Sequence, residues 1–285
     1  MSLLAYWLRN FNSKLVFTSS FAQEKILKVI YFFSLILYKK APRSPVPQAV
    51  IITNYDGDIS MKVDRSQTIG ACIYWTGFHE LKELMWLHRF LTPHMVVVDI
   101  GANQGEYTLF AAKRVTFGRV LAFEPMPSMY NLLCDNITLN NYINVDVFAL
   151  GLSDKAGSLE LYNGLNENEG LGTFYPGDTS LNSITVSLNT LDQLFKLKRL
   201  DFIKMDIEGS ELYALRGAHK VIKTYRPYVM IEINESAYTA AGYTIPDVLQ
   251  FFSDLNYNPF HITKGGVVKP CISVPTFGNL LFVPQ

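Results

Sequence analysis

The chain has 285 residues, 49% of them hydrophobic and 18% charged. That supports one large globular domain with additions, or two domains, and excludes a disordered chain. Lysine plus arginine and aspartate plus glutamate number 25 each, so there is no bulk charge with which to attract nucleic acid, although a local patch stays open. The three cysteines (Cys72, Cys134, Cys271) are scattered and lack Cys-x-x-Cys spacing, which argues against a disulfide framework or a zinc site and suits a reducing, cytoplasmic setting.

The most apolar window is "ILKVIYFFSLILY", Ile26 to Tyr38, with Lys25, Lys28, Lys39 and Lys40 in or beside it. It falls short of the roughly 20 residues that a spanning helix needs. It starts late for a signal peptide, and no small-x-small cleavage site follows. Two readings stand: a helix packed on the main domain or a partner subunit, or a helix lying on a membrane with its lysines at anionic head groups. Peripheral membrane contact through residues 26–38 is the expectation carried forward. The three prolines of "APRSPVPQ" then end any helix. Residues 1–48 therefore read as a helical extension and linker, and 49–285 as the main domain.

In "AVIITNYDGDISMKV", Val50 and Ile52 alternate inward, Asp56–Gly57 signals a hairpin, and Ile59, Met61 and Val63 resume the alternation. "GFHELKELMWLHRFL" has helical spacing and stops at Pro93. Strands then alternate with helices: "MVVVDI", "EYTLFAAKRV", "GRVLAFEP", "PSMYNLLCDNITLN", "INVDVFAL", "LDFIKMDI", "GSELYALRGAHKVI", "RPYVMIEIN", "IPDVLQFFSDL" and "GNLLFVP". That order indicates an α/β fold, a doubly wound and mostly parallel sheet covered on both faces. An irregular insert, Asn163 to Ser183, enters between the third and fourth strands of this series, and its Phe174 and Tyr175 could cover an acceptor.

Ligands of such sheets bind at the carboxyl ends of the strands, near the switch in strand order. Asp99, Gly101 and Gly105 sit at such an end. Gly-x-x-x-Gly alone is a weak signal, since glycine is common in strand-to-helix turns. A dinucleotide fold would show Gly-x-Gly-x-x-Gly, which is absent. Asp99 would repel a pyrophosphate and attract a cation such as the sulfonium or amino group of S-adenosylmethionine. Glu124 ends the next strand, 23 residues after Gly101, where a carboxylate can accept from both ribose hydroxyls.

With "VVDIGANQGEYTLFAAK", "VLAFEPMPSMYNLLCDNITLNN", "VFALGLSDKAG", "VSLNTLDQL", "FIKMDIEGSELYALRGA" and "PYVMIEIN" in this order, the chain resembles class I S-adenosylmethionine-dependent methyltransferases, and more closely the FkbM family. The resemblance implies a Rossmann-like, seven-stranded sheet with an antiparallel last strand, here carrying an N-terminal helical and hairpin extension. It implies methyl transfer from S-adenosylmethionine, usually to an oxygen of a sugar, polyketide or other small metabolite. It places Asp99, Gly101, Asn103 and Gly105 around the methionine part of the cofactor and Glu124 at the ribose, and counts Tyr107 among the cofactor-binding residues. Pro125, Met126, Ala149 and Leu150 would flank the adenine, with Ser153 or Asp154 reading its amine. Asp206 would lie beside the methyl group.

Asp206, Glu208 and Glu232 are the candidates for the base that a hydroxyl acceptor needs. Glu211 reads as an acid complementing a helix dipole. Asp206, Glu232 and Asn234 could instead gather round a divalent cation, but strand-end position alone accounts for all three, and no metal site is assigned. His219 and His261 read as structural. Rival readings are an RNA methyltransferase, for which "KLKR" (Lys196 to Arg199) is the only tight basic run, and a non-catalytic cofactor-binding module. No nucleic-acid partner is expected. The acceptor and the oligomeric state stay open.

Overall fold

The computed structural model describes residues 2–16, 32–39, 48–162, 172–175, 182–194 and 197–285. Helix α1 (Ser2–Val16) and a helix at residues 32–39 (α2) precede the hairpin of β1 (Ala49–Tyr55) and β2 (Ile59–Asp64). Ile52, Ile59, Met61 and Val63 are buried, as their alternation requires. The chain continues through α3 (Thr68–Thr76), α4 (Leu81–Phe90), β3 (Val96–Ile100), α5 (Glu106–Ala112), β4 (Arg119–Phe123), α6 (Pro127–Leu139) and β5 (Val145–Phe148). The short strands β6 (Gly151–Leu152), β7 (Gly157–Tyr162) and β8 (Ser183–Asn189) form a small sheet of their own. Then come α7 (Leu191–Leu194), β9 (Phe202–Met205), α8 (Glu211–Gly217), α9 (His219–Tyr225), β10 (Tyr228–Asn234), α10 (Glu235–Ala240), α11 (Ile245–Asp254), β11 (Tyr257–Thr263), β12 (Val267–Pro270) and β13 (Phe277–Pro284).

The main sheet has eight strands in the order β12-β11-β13-β10-β9-β3-β4-β5. The pairs from β10 through β5 are parallel, and β13 runs antiparallel to both β10 and β11. The expected antiparallel last strand is present, and β12 adds an eighth strand at the edge. Each central strand alternates between two apolar layers: Val97, Phe202, Met230 and Leu281 face one, and Val98, Ile203, Ile231 and Leu280 the other. That two-sided burial explains why the strands read as apolar runs.

The expected single helix over "GSELYALRGAHKVI" is two helices, α8 and α9, that meet at Ala218. The proline linker and residues 26–31 of the apolar window lie outside the described residues, apart from Gln48. Within the described part, Leu37 and Tyr38 pack against the core, whereas Phe32 and Phe33 are exposed. Helix α1 packs on α3 and β1. Its Arg9 is buried and donates to Asn54 Oδ1 at 3.1 Å and to the Tyr74 carbonyl at 2.6 Å.

Candidate functional site

From β3 the chain winds to β4 and β5 on one side, then crosses to β9 and β10 on the other. The crevice of this sheet therefore opens at the carboxyl ends of β3 and β9. There the chain turns through Gly101 at φ 78°, and a Cβ on that residue would sit 2.0 Å from the Asp206 carbonyl oxygen. Position 101 excludes a side chain twice over, by backbone conformation and by contact. The amides of Gly101 and Ala102 both donate to the Phe123 carbonyl at 3.0 Å, which fixes the loop against β4.

A cleft of about 580 Å³, counting the part open to solvent, runs along these strand ends. Of the expected residues, Gly101, Asn103, Glu124, Pro125, Met126, Leu150, Asp206 and Glu208 line it. Glu124 is the polar centre of one end. Its Oε2 accepts from the Asn103 amide at 2.7 Å and its Oε1 from the Met126 amide at 2.9 Å. Burial pushes this carboxyl up to about 7, against the pull of those two N–H groups. Each oxygen keeps a second acceptor position, so two further hydroxyls can be held. Phe174, from the described part of the insert, closes the far wall with Leu161 and Gly172. It therefore covers the Met126 end of the cleft, and Tyr175 turns away to stack on Tyr213.

Several expected lining residues stand elsewhere. Asp99 lies beneath the glycine loop, 2% exposed, and accepts from the Thr108 hydroxyl at 2.5 Å. Gly105 leads into α5 at φ 100°, where a Cβ would lie 2.7 Å from Leu133 Cδ1. Tyr107 turns its hydroxyl to Glu80 Oε2 at 2.7 Å. Ala149 is exposed just before the cleft wall, and there the wall is built from Leu150, Gly151 and Leu152 rather than from Ser153 or Asp154.

The other end of the cleft is acidic. Carboxylate oxygens of Asp206, Glu208 and Glu232 all lie within 4.8 Å of one another, close enough to share a divalent cation. Asn234, expected beside them, instead caps α10, its Oδ1 accepting from the Ala237 amide at 3.2 Å. Burial, then the charges of Asp206 and Glu208, pushes Glu232 up to about 9. Burial, then Asp206 and Glu211, pushes Glu208 up to about 7. Glu208 also sits at φ 49°, a strained position for a residue with a Cβ, and the Thr173 hydroxyl donates to its carbonyl at 3.0 Å. Glu211 ties down the same turn, accepting from the amides of Ile207 at 2.9 Å and Gly209 at 3.0 Å.

One buried cation answers these acids. Lys204 is 2% exposed and its Nζ lies 3.1 Å from Asp206 Oδ2 and 4.9 Å from the centre of the Tyr107 ring. Burial opposes its charge, but Asp206, Glu80 and Asp99 outweigh that and hold the ammonium above its ordinary range. Asn279, directly across from Glu232 on β13, bridges to Glu80 and, at 3.3 Å, to Glu83. Lys204, Glu80, Glu83 and Asn279 were not anticipated. A lysine inside the apolar run "FIKM" was the one available sign.

Residues 99–259, more than half of the chain, match the family model of the methyltransferase FkbM domain. The chain belongs to the FkbM methyltransferase family. It is 27% identical to methyltransferase sdnD of Sordaria araneosa over 178 residues, 48% of this chain and 69% of that one. It is 26% identical to the hexuronic acid methyltransferase AglP of Haloferax volcanii over 183 residues, 59% of this chain and 65% of that one. Among solved structures, a methyltransferase FkbM from Methylobacillus flagellatus KT superimposes with a TM-score of 0.47 at 18% identity, covering 75% of this chain and 54% of that one. This chain thus spans about half the length of that FkbM structure.

The cofactor of this methyltransferase family is S-adenosylmethionine. The donor set fits it. Among the described residues the cleft wall carries Glu124, Asp206 and Glu208 and no lysine or arginine, which suits a cationic sulfonium and would repel a pyrophosphate. The free acceptor positions of Glu124 suit a ribose, and Met126, Leu150 and Phe174 supply apolar surface for an adenine.

Proposed function

We propose that this methyltransferase acts on a hydroxyl oxygen of a small, uncharged acceptor of sugar or polyketide type. The observation that carries the reading is the trio of Asp206, Glu208 and Glu232, of which Asp206 and Glu208 line the end of the cleft and Glu232 lies within 4.8 Å of both. When bound, S-adenosylmethionine supplies an electrophilic methyl group on a sulfonium. What remains for the chain is to align the acceptor and take its proton. Glu208, pushed up to about 7, is the base matched to neutral pH. Glu232, pushed up to about 9, holds its proton there and serves as a hydrogen-bond donor to the acceptor. Asp206 is held by Lys204 and braces the cofactor end. The similarity to a protein named for hexuronic acid supports a sugar-like acceptor. The acidic pocket argues against a free carboxylate close to the transfer point.

The test is methyl transfer from labelled S-adenosylmethionine to a panel of uncharged glycosides and matching uronates, with the new linkage read by NMR. Uncharged glycosides should accept on oxygen, and kcat/KM should rise with pH through about 7. Glu208→Gln should remove that limb and lower kcat by about 10²–10⁴-fold, a larger loss than any it causes in cofactor affinity. Methylation on nitrogen or carbon, or a Glu208→Gln variant with parental kcat, overturns the reading. Loss of activity to a chelator assigns the trio to a shared cation instead.

A further inference from the structure

Helix α1 meets the domain with one face only. Arg9 points inward to Asn54 and Tyr74. Leu3, Leu4, Trp7 and Phe11 stand 73%, 48%, 57% and 47% exposed. Their spacing puts them on one stripe of the helix, turned to solvent. Phe32 and Phe33 of α2 are likewise exposed, at 60% and 56%, while Leu37 and Tyr38 of the same helix face the core. A surface helix normally turns its apolar stripe inward, so an apolar stripe turned to solvent marks a contact surface.

Charge decides what the surface meets. Besides the inward-turned Arg9, residues 1–40 hold five lysines (Lys14, Lys25, Lys28, Lys39, Lys40) and one acid, Glu24. The chain as a whole balances at 25 and 25, so residues 41–285 hold 19 bases against 24 acids. A second copy docking through the same face would set one positive segment against another. An anionic bilayer offers opposite charge to the lysines, apolar depth to the leucines and phenylalanines, and a headgroup level suited to an indole ring.

We propose that the outward face of α1, with Phe32 and Phe33, lies in the headgroup region of an anionic membrane surface. The contact is peripheral: among the described residues no helix is long and apolar enough to cross a membrane. It extends the contact expected for residues 26–38 to α1, which has no comparably apolar run to announce it.

The experiment is flotation of the full chain with phosphatidylcholine vesicles, alone or with about 30% phosphatidylserine, at low and high salt. Binding should need the anionic lipid, weaken with salt, and fall about tenfold or more in the variant Trp7→Ser/Phe11→Ser. Both residues are exposed, so the variant should melt with the parent. Failure of the parent to bind overturns the proposal, as does a variant that binds like the parent. So does a lipid-free dimer, seen in sedimentation and dissolved by the same substitutions, in a chain that ignores vesicles.

Discussion

Lys204 sits in a four-residue strand whose other members are apolar, and only its neighbours explain it. Asp206 pairs with it directly, and Asp99 and Glu80 stand near enough to raise its pKa. Lys204→Met would pack well but would leave those acids without a counter-charge. Breaking a fully buried pair from one side costs about 3–5 kcal/mol; with the Asp206 side chain 32% exposed the cost here should lie below that. The variant should therefore melt several degrees lower than the parent. Melting curves check this, and a variant that melts with the parent would show that the ion pair is dispensable to the fold. Single residues near the glycine loop were legible because loop and ligand chemistry are local: Gly101, Asn103, Glu124 and Asp206 can be read from three short stretches. Asp99 was legible as an acid at the strand end that would attract the cationic part of the cofactor, but not as one buried under the loop on Thr108. The bridge from Glu80 to Asn279 joins positions far apart in the chain, so no local pattern could announce it.

Elements were legible where one period ran long enough. The parallel strands and the hairpin followed from apolar runs and alternation. β11 did not, because Pro259 interrupts it and demotes the run on sequence grounds; it forms because β13 pairs along it and the Cys271 amide donates to the Pro259 carbonyl. The break between α8 and α9 was also hidden, since "GSELYALRGAHKVI" keeps helical spacing throughout. Gly217 shows the tertiary contact at that break: a Cβ there would lie 1.9 Å from the Ser153 carbonyl oxygen. In an isolated helix Gly217→Ala would stabilise by about 1 kcal/mol. Here overpacking against backbone costs about 1–3 kcal/mol, so the sign should reverse. A thermal melt of Gly217→Ala should fall by a few degrees. A higher melting temperature would mean that the β6 loop yields.

At the scale of the molecule, an unusual number of carboxyls are held above their ordinary range by burial. Glu83, Glu106, Glu124, Glu208 and Glu211 are pushed up to about 7, and Glu232 to about 9. In the unfolded chain a glutamate titrates near about 4.3. A raised folded value means that the folded state keeps protons that the unfolded state has lost. The stabilising contribution is complete below about 4.3 and is lost as pH climbs through about 7, and for Glu232 through about 9. The melting temperature should therefore be lower at pH 8 than at pH 6. Saturating S-adenosylmethionine should raise it more at pH 8, because a bound cation favours the ionised acids of the cleft. Calorimetric scans at both pH values, with and without cofactor, check the sign, and a melting temperature that rises from pH 6 to pH 8 would contradict it.

The edge strand β12 bears on how this protein behaves at high concentration. Without it, the seven-residue β11 would end the sheet and present a long row of open backbone groups on which another chain could template. β12 covers residues Phe260 to Thr263 of that strand and replaces the row with one four residues long. Its second half is Lys269 and Pro270, a charge and a residue without an N–H, both poor partners for further pairing. At the opposite end β5 is also four residues long and carries Asp146, already engaged by Arg119. Both borders of the sheet are thus short and guarded by polar or donor-free residues, which disfavours strand-by-strand growth into aggregates.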